Sequence, residues 1–251
     1  MIIINHMNAK KKINYISNWI ADYVKNMPVS AKSLVIGVSG GIDSSVSSTL
    51  SAMTGLRTIV LCMPIKQHKS QHDLSIKHKD WLIKNFNNVE GHIIELDELF
   101  KSFENNLSNF KNEHGFANSR ARLRMTTLYQ VAAANNGIVV GTGNKVEDFG
   151  VGFYTKYGDG GVDISPIADC NKTEIWEIGK ELNILQEIID APPTDGLWDD
   201  GRTDEGQLGM SYKDIELAMS DPKSPNREKY EKIRLSNLHK MEPIPICKIP
   251  R

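Results

Sequence analysis

Residues 34 to 45 join a short apolar run to a segment of glycines and serines, a junction that few folds contain. The run from Leu34 to Val38 favours a buried strand. Gly37 to Ser45 reads Gly-Val-Ser-Gly-Gly-Ile-Asp-Ser-Ser, and helical character follows it. Gly40 and Gly41 tolerate backbone angles that other residues avoid, so consecutive amides can face one ligand. With serine hydroxyls and a helix N-terminus added, the segment predicts an anion-binding site.

Asp43 stands among these anion donors, where a lone carboxylate would repel a polyanion. We therefore expect Asp43 to hold Mg²⁺ beside bound phosphate groups, because Mg²⁺ prefers oxygen ligands and is often shared with phosphates. The segment has no lysine after its glycines, so it is not a Walker-type loop.

Composition narrows the class of protein. A chain of 251 residues can bury a substantial core without cross-links. It has 30 basic and 31 acidic residues, which argues against a non-specific nucleic-acid surface or a polybasic membrane patch. Its three cysteines are far apart and lack metal-site spacing, as expected in a reducing compartment. No apolar stretch approaches the length of a membrane span, so we expect a cytoplasmic protein.

The pattern of the chain alternates strands with helices. Such alternation implies right-handed crossovers and a doubly wound α/β sheet, mostly parallel, with helices on both faces. In these sheets ligands bind beyond the carboxyl ends of the strands, where the Ser39 segment lies. We expect one domain over residues 1–251. The predicted strands are 34–38, 57–63, 92–96 and 138–140, and the predicted helices are 13–23, 44–53, 73–86, 97–107, 119–135 (capped by Asn118), 172–182, 211–219 and 226–238.

Two stretches, 141–173 and 191–209, lack regular periodicity, and loops of that length in a compact domain are usually functional. His68, His72 and His78 share one segment without carboxylate or cysteine partners. We therefore interpret them as a solvated helix face rather than a metal site. Trp176 is expected in the core.

Several segments together resemble one family. The Gly37 to Ser45 segment resembles the pyrophosphate loop of ATP pyrophosphatases. Lys156 to Gly161, preceded by Phe153-Tyr154-Thr155, resembles the NAD synthetases among them. The resemblance extends from about residue 13 to 249 and implies the adenine-nucleotide α-hydrolase-like fold. Further matching segments are Arg120 to Met125, Gly141-Thr142 with Glu147, Asn171-Lys172, Ala191 to Gly196, Thr203 to Glu205, and His239-Lys240.

This resemblance implies an ammonia-dependent NAD synthetase. The family is a homodimeric amide-forming ligase that uses ATP, deamido-NAD and ammonia with Mg²⁺ as cofactor. ATP adenylates the nicotinate carboxylate, and ammonia then displaces AMP. Only about 36 residues precede Gly37, too few for a glutamine-hydrolysing domain. The roles implied are catalytic for Asp43 and Lys172; ATP-binding for Gly37, Val38, Ser39, Gly40, Gly41, Ile42, Asp43, Ser44, Thr142, Lys172 and Thr194; deamido-NAD-binding for Arg122, Lys156, Asp163, His239 and Lys240; and metal-binding for Asp43 and Glu147.

The chain departs from the family pattern at two places. It is one residue longer than many short members between Glu147 and Lys156, which makes Asp148 an alternative metal carboxylate. Gly143-Asn144 stands where many members have Asp-His. In addition, helical spacing cannot place Arg120, Arg122 and Arg124 on one face, so only one or two of them are expected to reach a ligand.

Two other functions stay open on the sequence. The Ser39 segment alone also fits other pyrophosphatases, such as a GMP synthetase or a tRNA-thiolating enzyme. A thiolating enzyme would need catalytic cysteines and a basic RNA-binding face, and the Lys156 to Gly161 segment favours the NAD synthetases over GMP synthetase. A nucleotide-binding module without turnover is the other alternative, although Asp43 and Lys172 are both present.

Overall fold

In the computed structural model, which describes residues 7–194 and 203–250, four parallel strands form one sheet. Their order is β3-β2-β1-β4. The chain therefore adds β2 and β3 on one side of β1 and returns to place β4 on the other side. Such a reversal opens a crevice at the carboxyl ends of β1 and β4. The strands are β1 (Ser33–Gly37), β2 (Thr58–Cys62), β3 (Val89–Ile93) and β4 (Gly137–Val139).

Helices surround this sheet. No helix within residues 7–194 and 203–250 combines the length and apolar character needed to span a bilayer. A 3₁₀ turn covers Ser108–Phe110 and a π-helix covers Lys145–Val151. The α-helices are α1 (Ala9–Asn26), α2 (Ile42–Met53), α3 (Lys69–Asn85), α4 (Asp97–Asn106), α5 (Glu113–Ala134), α6 (Lys172–Glu181), α7 (Gln186–Ile189), α8 (Asp204–Leu208), α9 (Tyr212–Ser220) and α10 (Arg227–Met241).

Both faces of the sheet are buried, which confirms the doubly wound α/β prediction. Leu34 and Ile36 of β1 point into a core shared with α1, α2 and α6, whereas Val35 between them joins a second core against α4 and α5. Alternate side chains of a strand face opposite sides of the sheet, so a strand covered on both sides must be apolar throughout. The continuous apolar run of β1 therefore agrees with the position of this strand in the interior of the sheet.

Several element boundaries differ from the sequence prediction. Helix α5 begins at Glu113 because Asn112, rather than Asn118, caps it; the Asn112 side chain accepts a hydrogen bond from Gly115 N at 2.7 Å. Strand β3 covers residues 89–93 instead of 92–96. It is an edge strand of which only Val89 is buried, so it lacks the continuous apolar run that identifies the interior strands.

The interpretation of His78 as part of a solvated face is wrong. Its side chain is fully buried between α3 and α2, where Nε2 lies 3.0 Å from Ser48 Oγ and the ring stacks on Trp81. Burial lowers the pKa of His78 to about 4. Ser48 of α2 is the partner of His78, and this packing could not be predicted from the polar sequence around His78.

Candidate active site

The loop after β1 is held by its own serines. Ser44 Oγ donates to the Gly41 carbonyl at 3.0 Å and accepts from Ser39 N at 3.2 Å. Gly40 has a φ of +88°, and a Cβ there would lie 2.5 Å from the Gln71 carbonyl oxygen. Gly41, the N-cap of α2, has an ordinary φ of −87°. The special backbone angle expected for both glycines is therefore present at Gly40 alone.

A cleft opens along this loop at the carboxyl ends of β1 and β4. Every residue that the sequence assigns to ATP or to the metal lines its wall, as do several residues that it did not assign. Two loops far apart in the chain, after β1 and after β4, thus form the two walls of one cleft, as the strand order requires. The lining includes Gly37, Val38, Ser39, Gly40, Gly41, Ile42, Asp43, Ser44, Thr142, Glu147, Lys172 and Thr194, together with Gln71, Arg124, Asp148 and Asp159.

Lys172 is the centre of the charged groups in this cleft. Its side chain is only 2% exposed, and Nζ donates to Asp43 Oδ2 at 2.6 Å and to Glu147 Oε1 at 2.8 Å. Burial by itself would lower the lysine pKa, but the two carboxylates outweigh it and raise that pKa. Lys172 therefore stays charged, and it compensates two carboxylates that are themselves largely shielded from water.

The two carboxylates differ in their pKa. Burial raises the pKa of Asp43 above its ordinary value, and the attraction of Lys172 offsets only part of that effect. Burial acts on Glu147 as well, but there Lys172 and the hydroxyl of Tyr212 outweigh it and the pKa is lowered. The arrangement therefore favours Glu147 as the more firmly ionised member of the pair.

The Asp43 and Glu147 pair suits a hard cation. Both carboxylates contact the Lys172 ammonium group and offer the oxygen ligands that Mg²⁺ prefers. Within residues 7–194 and 203–250 no group of three or more His, Cys, Asp or Glu side chains could hold a metal, so the Asp43 and Glu147 pair offers two protein carboxylates only. Mg²⁺ sites with one or two carboxylates take their other ligands from water and substrate phosphates, which matches a cleft beside a phosphate loop.

The two departures from the family pattern meet in one structural feature. The stretch from Glu147 to Lys156, where the chain is longer, begins within the π-helix Lys145–Val151, a helix form with i→i+5 hydrogen bonds. Asn144 caps it by accepting from Val146 N and Glu147 N, and its amide donates to Asp43 Oδ1 at 3.0 Å. A Cβ at Gly143 would lie 1.9 Å from Asp148 Oδ2, so the glycine makes room for that carboxylate.

Asp148 therefore occupies a different part of the cleft from Glu147. Its carboxylate lies against Gly143, and the hydrogen bonds of Lys172 go to Asp43 and Glu147 instead. Burial, followed by the nearby Asp159 and Glu147 carboxylates, raises the pKa of Asp148 well above its ordinary value.

Four of the residues assigned to deamido-NAD lie together outside the cleft lining. Arg122 Nε donates to the Lys156 carbonyl at 3.3 Å, and Lys156 Nζ donates to the His239 carbonyl at 3.2 Å. Lys240 Nζ donates to the Tyr154 carbonyl at 2.9 Å. The end of α10 thus packs against the segment that carries Lys156, and the tail pair and the Lys156 segment form one surface within a single chain.

Asp163, the fifth such residue, lies apart from that group. Its carboxylate accepts from Tyr129 OH at 3.0 Å and from Val139 N at 2.7 Å, which ties it to the end of β4. Asp195 and Gly196 of the family segment lie outside the described residues.

Sequence reasoning missed the position of Arg124. This side chain lines the cleft, and its Nε donates to the Met63 carbonyl at 2.9 Å, whereas Arg122 is exposed on the other side of α5. Burial, with Arg120 nearby, lowers the pKa of Arg124 to about 10. Helical spacing had indicated that the arginines diverge, but only the packing of α5 on the sheet decides which one faces the cleft.

Known proteins share this architecture. The model of the NAD synthase family matches residues 12–244. An NH(3)-dependent NAD(+) synthetase of Alkaliphilus oremlandii is 36% identical over 255 residues, 96% of this chain and 98% of that protein. The solved structure of NMN synthetase from Francisella tularensis is 32% identical with a TM-score of 0.86, covering 98% of this chain and 99% of that one. An NH3-dependent NAD synthetase from Campylobacter jejuni, solved with nitrate, is 25% identical with a TM-score of 0.78 over 96% of this chain and 100% of that one. Because the family model matches most of the chain and the relatives are similar over nearly their whole length, the chain belongs to the NAD synthase family.

Proposed function

We propose that this protein is an ammonia-dependent NAD synthetase that catalyses the last step of NAD biosynthesis. It would convert deamido-NAD, ATP and ammonia into NAD, AMP and pyrophosphate. The observation that carries the proposal is the Lys172 centre, in which one buried cation and two carboxylates lie beside a loop of phosphate-binding form. The family match and the similarity to NH(3)-dependent NAD(+) synthetases support it.

The first chemical step needs charge neutralisation at the phosphates. A nicotinate oxygen attacks the α-phosphorus, the bond to the β-phosphate oxygen breaks, and pyrophosphate leaves. Amide donors and hydroxyls of residues 37–44 would bind the pyrophosphate, and Lys172 would offset the developing negative charge. Mg²⁺ held by Asp43 and Glu147 would add a Lewis acid for the same phosphates. Asp43 and Lys172 are thus the residues on which this step most depends.

The second step exchanges AMP for nitrogen. Ammonia attacks the carbonyl carbon of the acyl adenylate, a C–N bond forms, and the C–O bond to AMP breaks while the nitrogen loses a proton. We propose that Arg122, Lys156, Asp163, His239 and Lys240 hold the dinucleotide for this step. The contacts that join four of them on one surface support this assignment.

We also propose an oligomeric state, a homodimer, on the basis of the family resemblance. A homodimer would cover the C-terminal tail, where Ile244, Ile246 and Ile249 are 64%, 80% and 81% exposed in the single chain. Light scattering of the purified protein tests this, since a monomer would contradict it. A single domain over residues 1–251 and a cytoplasmic location stay predictions.

A second candidate differs only in the substrate. The solved Francisella tularensis protein is described as an NMN synthetase, and its likeness to this chain extends over nearly the whole length. By the same chemistry such an enzyme would amidate nicotinate mononucleotide. We favour deamido-NAD because the curated relatives, at comparable identity, carry the NAD synthetase name.

A competition experiment separates the two. The purified protein receives ATP, Mg²⁺ and ammonium with deamido-NAD and nicotinate mononucleotide at equal concentration, and mass spectrometry follows NAD, NMN and AMP. We expect NAD to form faster than NMN, with one AMP for each amide. Faster NMN formation would establish the second candidate, and formation of neither amide would exclude both.

Nitrogen source is tested separately. We expect ammonium salts to support turnover and glutamine to give none, as the NH(3)-dependent relatives suggest. The control is a glutamine sample treated with glutaminase, which must restore the activity. Full turnover with untreated glutamine would contradict ammonia dependence.

A further inference from the structure

Tyr212 is a buried residue with a polar group directed at the Lys172 centre. It begins α9, is 1% exposed, and packs edge-on against Trp176 with 5.9 Å between ring centroids. Its ring belongs to the apolar cluster between the π-helix and α10. A phenylalanine would satisfy this packing equally well, so the hydroxyl calls for its own explanation.

The hydroxyl of Tyr212 contacts the carboxylate assigned to the metal. Tyr212 OH lies 2.5 Å from Glu147 Oε1 and 3.2 Å from Asp204 Oδ2. A phenol has one proton, which we assign to the shorter contact. The same Glu147 Oε1 accepts from Lys172 Nζ, which also lies 4.9 Å from the centroid of the Tyr212 ring. One side chain thus touches both Glu147 and Lys172.

Helix α9, which carries Tyr212, is anchored on both sides of this contact. Tyr212 N donates to Glu205 Oε1 at 2.9 Å. One turn further along, Glu216 accepts from Thr173 N at 2.9 Å and from Thr173 Oγ1 at 2.7 Å. Thr173 follows Lys172 directly, so α9 is fixed against the start of α6 as well as against Glu147. The position of the hydroxyl is therefore set by several contacts and does not depend on the phenol alone.

We infer that Tyr212 is a positioning residue that fixes the orientation of the Glu147 carboxylate for the cation. This rests on the proposed function, in which Glu147 helps to hold Mg²⁺. Groups that hydrogen-bond a metal-binding carboxylate orient it, and their loss typically costs about 10- to 100-fold in metal affinity or activity. Without the hydroxyl, Glu147 keeps its bond to Lys172 but can turn about its side-chain torsions. The effect should fall on metal binding and turnover rather than on deamido-NAD binding.

The test compares Tyr212→Phe with two other variants. Tyr230→Phe is the matched control: Tyr230 is 5% exposed in the same apolar cluster, and no hydrogen bond joins its hydroxyl to the described residues of the cleft. Glu147→Gln is the reference for loss of the carboxylate. Binding of Mn²⁺ in the presence of α,β-methylene-ATP is measured by electron paramagnetic resonance. Thermal unfolding, kcat and KM for deamido-NAD are measured on the same samples.

We expect Tyr212→Phe to weaken Mn²⁺ binding by about 10-fold and to lower kcat, with KM for deamido-NAD unchanged. Tyr230→Phe should match the wild-type protein in all of these. If Glu147→Gln weakens Mn²⁺ binding and Tyr212→Phe does not, the inference is overturned while the proposed function stands. Equal losses in both tyrosine variants would show a packing role and also overturn it. If Glu147→Gln binds Mn²⁺ normally, the metal assignment fails and the inference fails with it.

Discussion

The two walls of the cleft are built in different ways. In the wall formed by β1, its loop and α2, the serine hydrogen bonds within the loop join residues five or fewer positions apart. In the wall formed by residues 141–172, the bonds that place the charged groups reach partners 25 to 129 positions away. The first wall, which we call the local wall, is therefore determined by neighbouring residues. The second, which we call the distant wall, depends on the packing of the whole domain. Substitutions in the two walls should therefore have different effects on turnover, ligand binding and stability.

Asp43 lies in the local wall, but its side chain contacts Asn144 and Lys172 of the distant wall. Substitution of Asp43 should therefore have the largest effect on turnover. We expect Asp43→Asn to keep the fold, since the loop bonds do not involve its side chain, and to lower kcat by about 100-fold or more. The measurements are turnover at saturating Mg²⁺ and the unfolding temperature. Asp169→Asn, at a surface residue whose side chain is 96% exposed, is the control and should be neutral. Normal turnover in folded Asp43→Asn would remove it from the site.

The local wall can be tested by adding one methyl group at neighbouring positions. Gly40→Ala should lower the free energy of unfolding by about 1–3 kcal/mol and weaken ATP binding, because φ is +88° and the new Cβ meets the Gln71 carbonyl. Gly41→Ala should cost less than about 1 kcal/mol, since its nearest contact would be 3.4 Å away. Urea unfolding and ATP titration measure both. Similar losses at the two positions would contradict the structure of this loop.

His78 supports α2 behind the local wall and should make stability depend on pH. Its pKa is about 4 in the folded protein and near 6.5 when unfolded, so between these values the unfolded chain binds more protons. Its contribution is complete above pH 6.5 and is lost as pH falls toward 4. From pH 7 to 5 it should remove about 2 kcal/mol from the free energy of unfolding.

Replacing His78 isolates that contribution. When the pH falls from 7 to 5, the free energy of unfolding of His78→Gln should fall by about 2 kcal/mol less than that of the wild-type protein. His92→Gln, at an exposed position of β3, should behave as wild type. Urea unfolding at the two pH values measures this, and an unchanged pH dependence in His78→Gln would contradict the burial of a neutral imidazole.

In the distant wall, we expect substitutions of Gly143 and Asp148 to have non-additive effects on the free energy of unfolding. Gly143→Ala would place a methyl group where the Asp148 carboxylate lies, and Asp148→Ala would vacate that space. The free energies of unfolding of the two single variants and the double variant form a double-mutant cycle. We expect the double variant to be about 1 kcal/mol more stable than the sum of the single effects predicts. Additive effects would show that Gly143 does not make room for Asp148.

The sequence predicted correctly those structural elements that depend on neighbouring residues. The strand that ends at Gly37, the helix α2 and the loop between them all follow from neighbouring residues, because glycine angles, serine bonds and a helix N-terminus act within a few positions. The edge strand β3 and the start of α5 were predicted less well. An edge strand buries only part of its surface. Asn112 and Asn118 are both possible caps from the sequence, and in the structure Asn112 caps α5 whereas Asn118 lies inside it.

The sequence by itself therefore determined the α/β class, the glycine- and serine-rich loop between β1 and α2, and the family to which the chain belongs. Only the tertiary structure decided that Lys172 joins Asp43 to Glu147, that Arg124 rather than Arg122 faces the cleft, and that His78 is buried. The physical reason is the range of the interactions. Backbone preferences and capping act between near neighbours, whereas burial and the pairing of charges depend on which distant segments the sheet brings into contact.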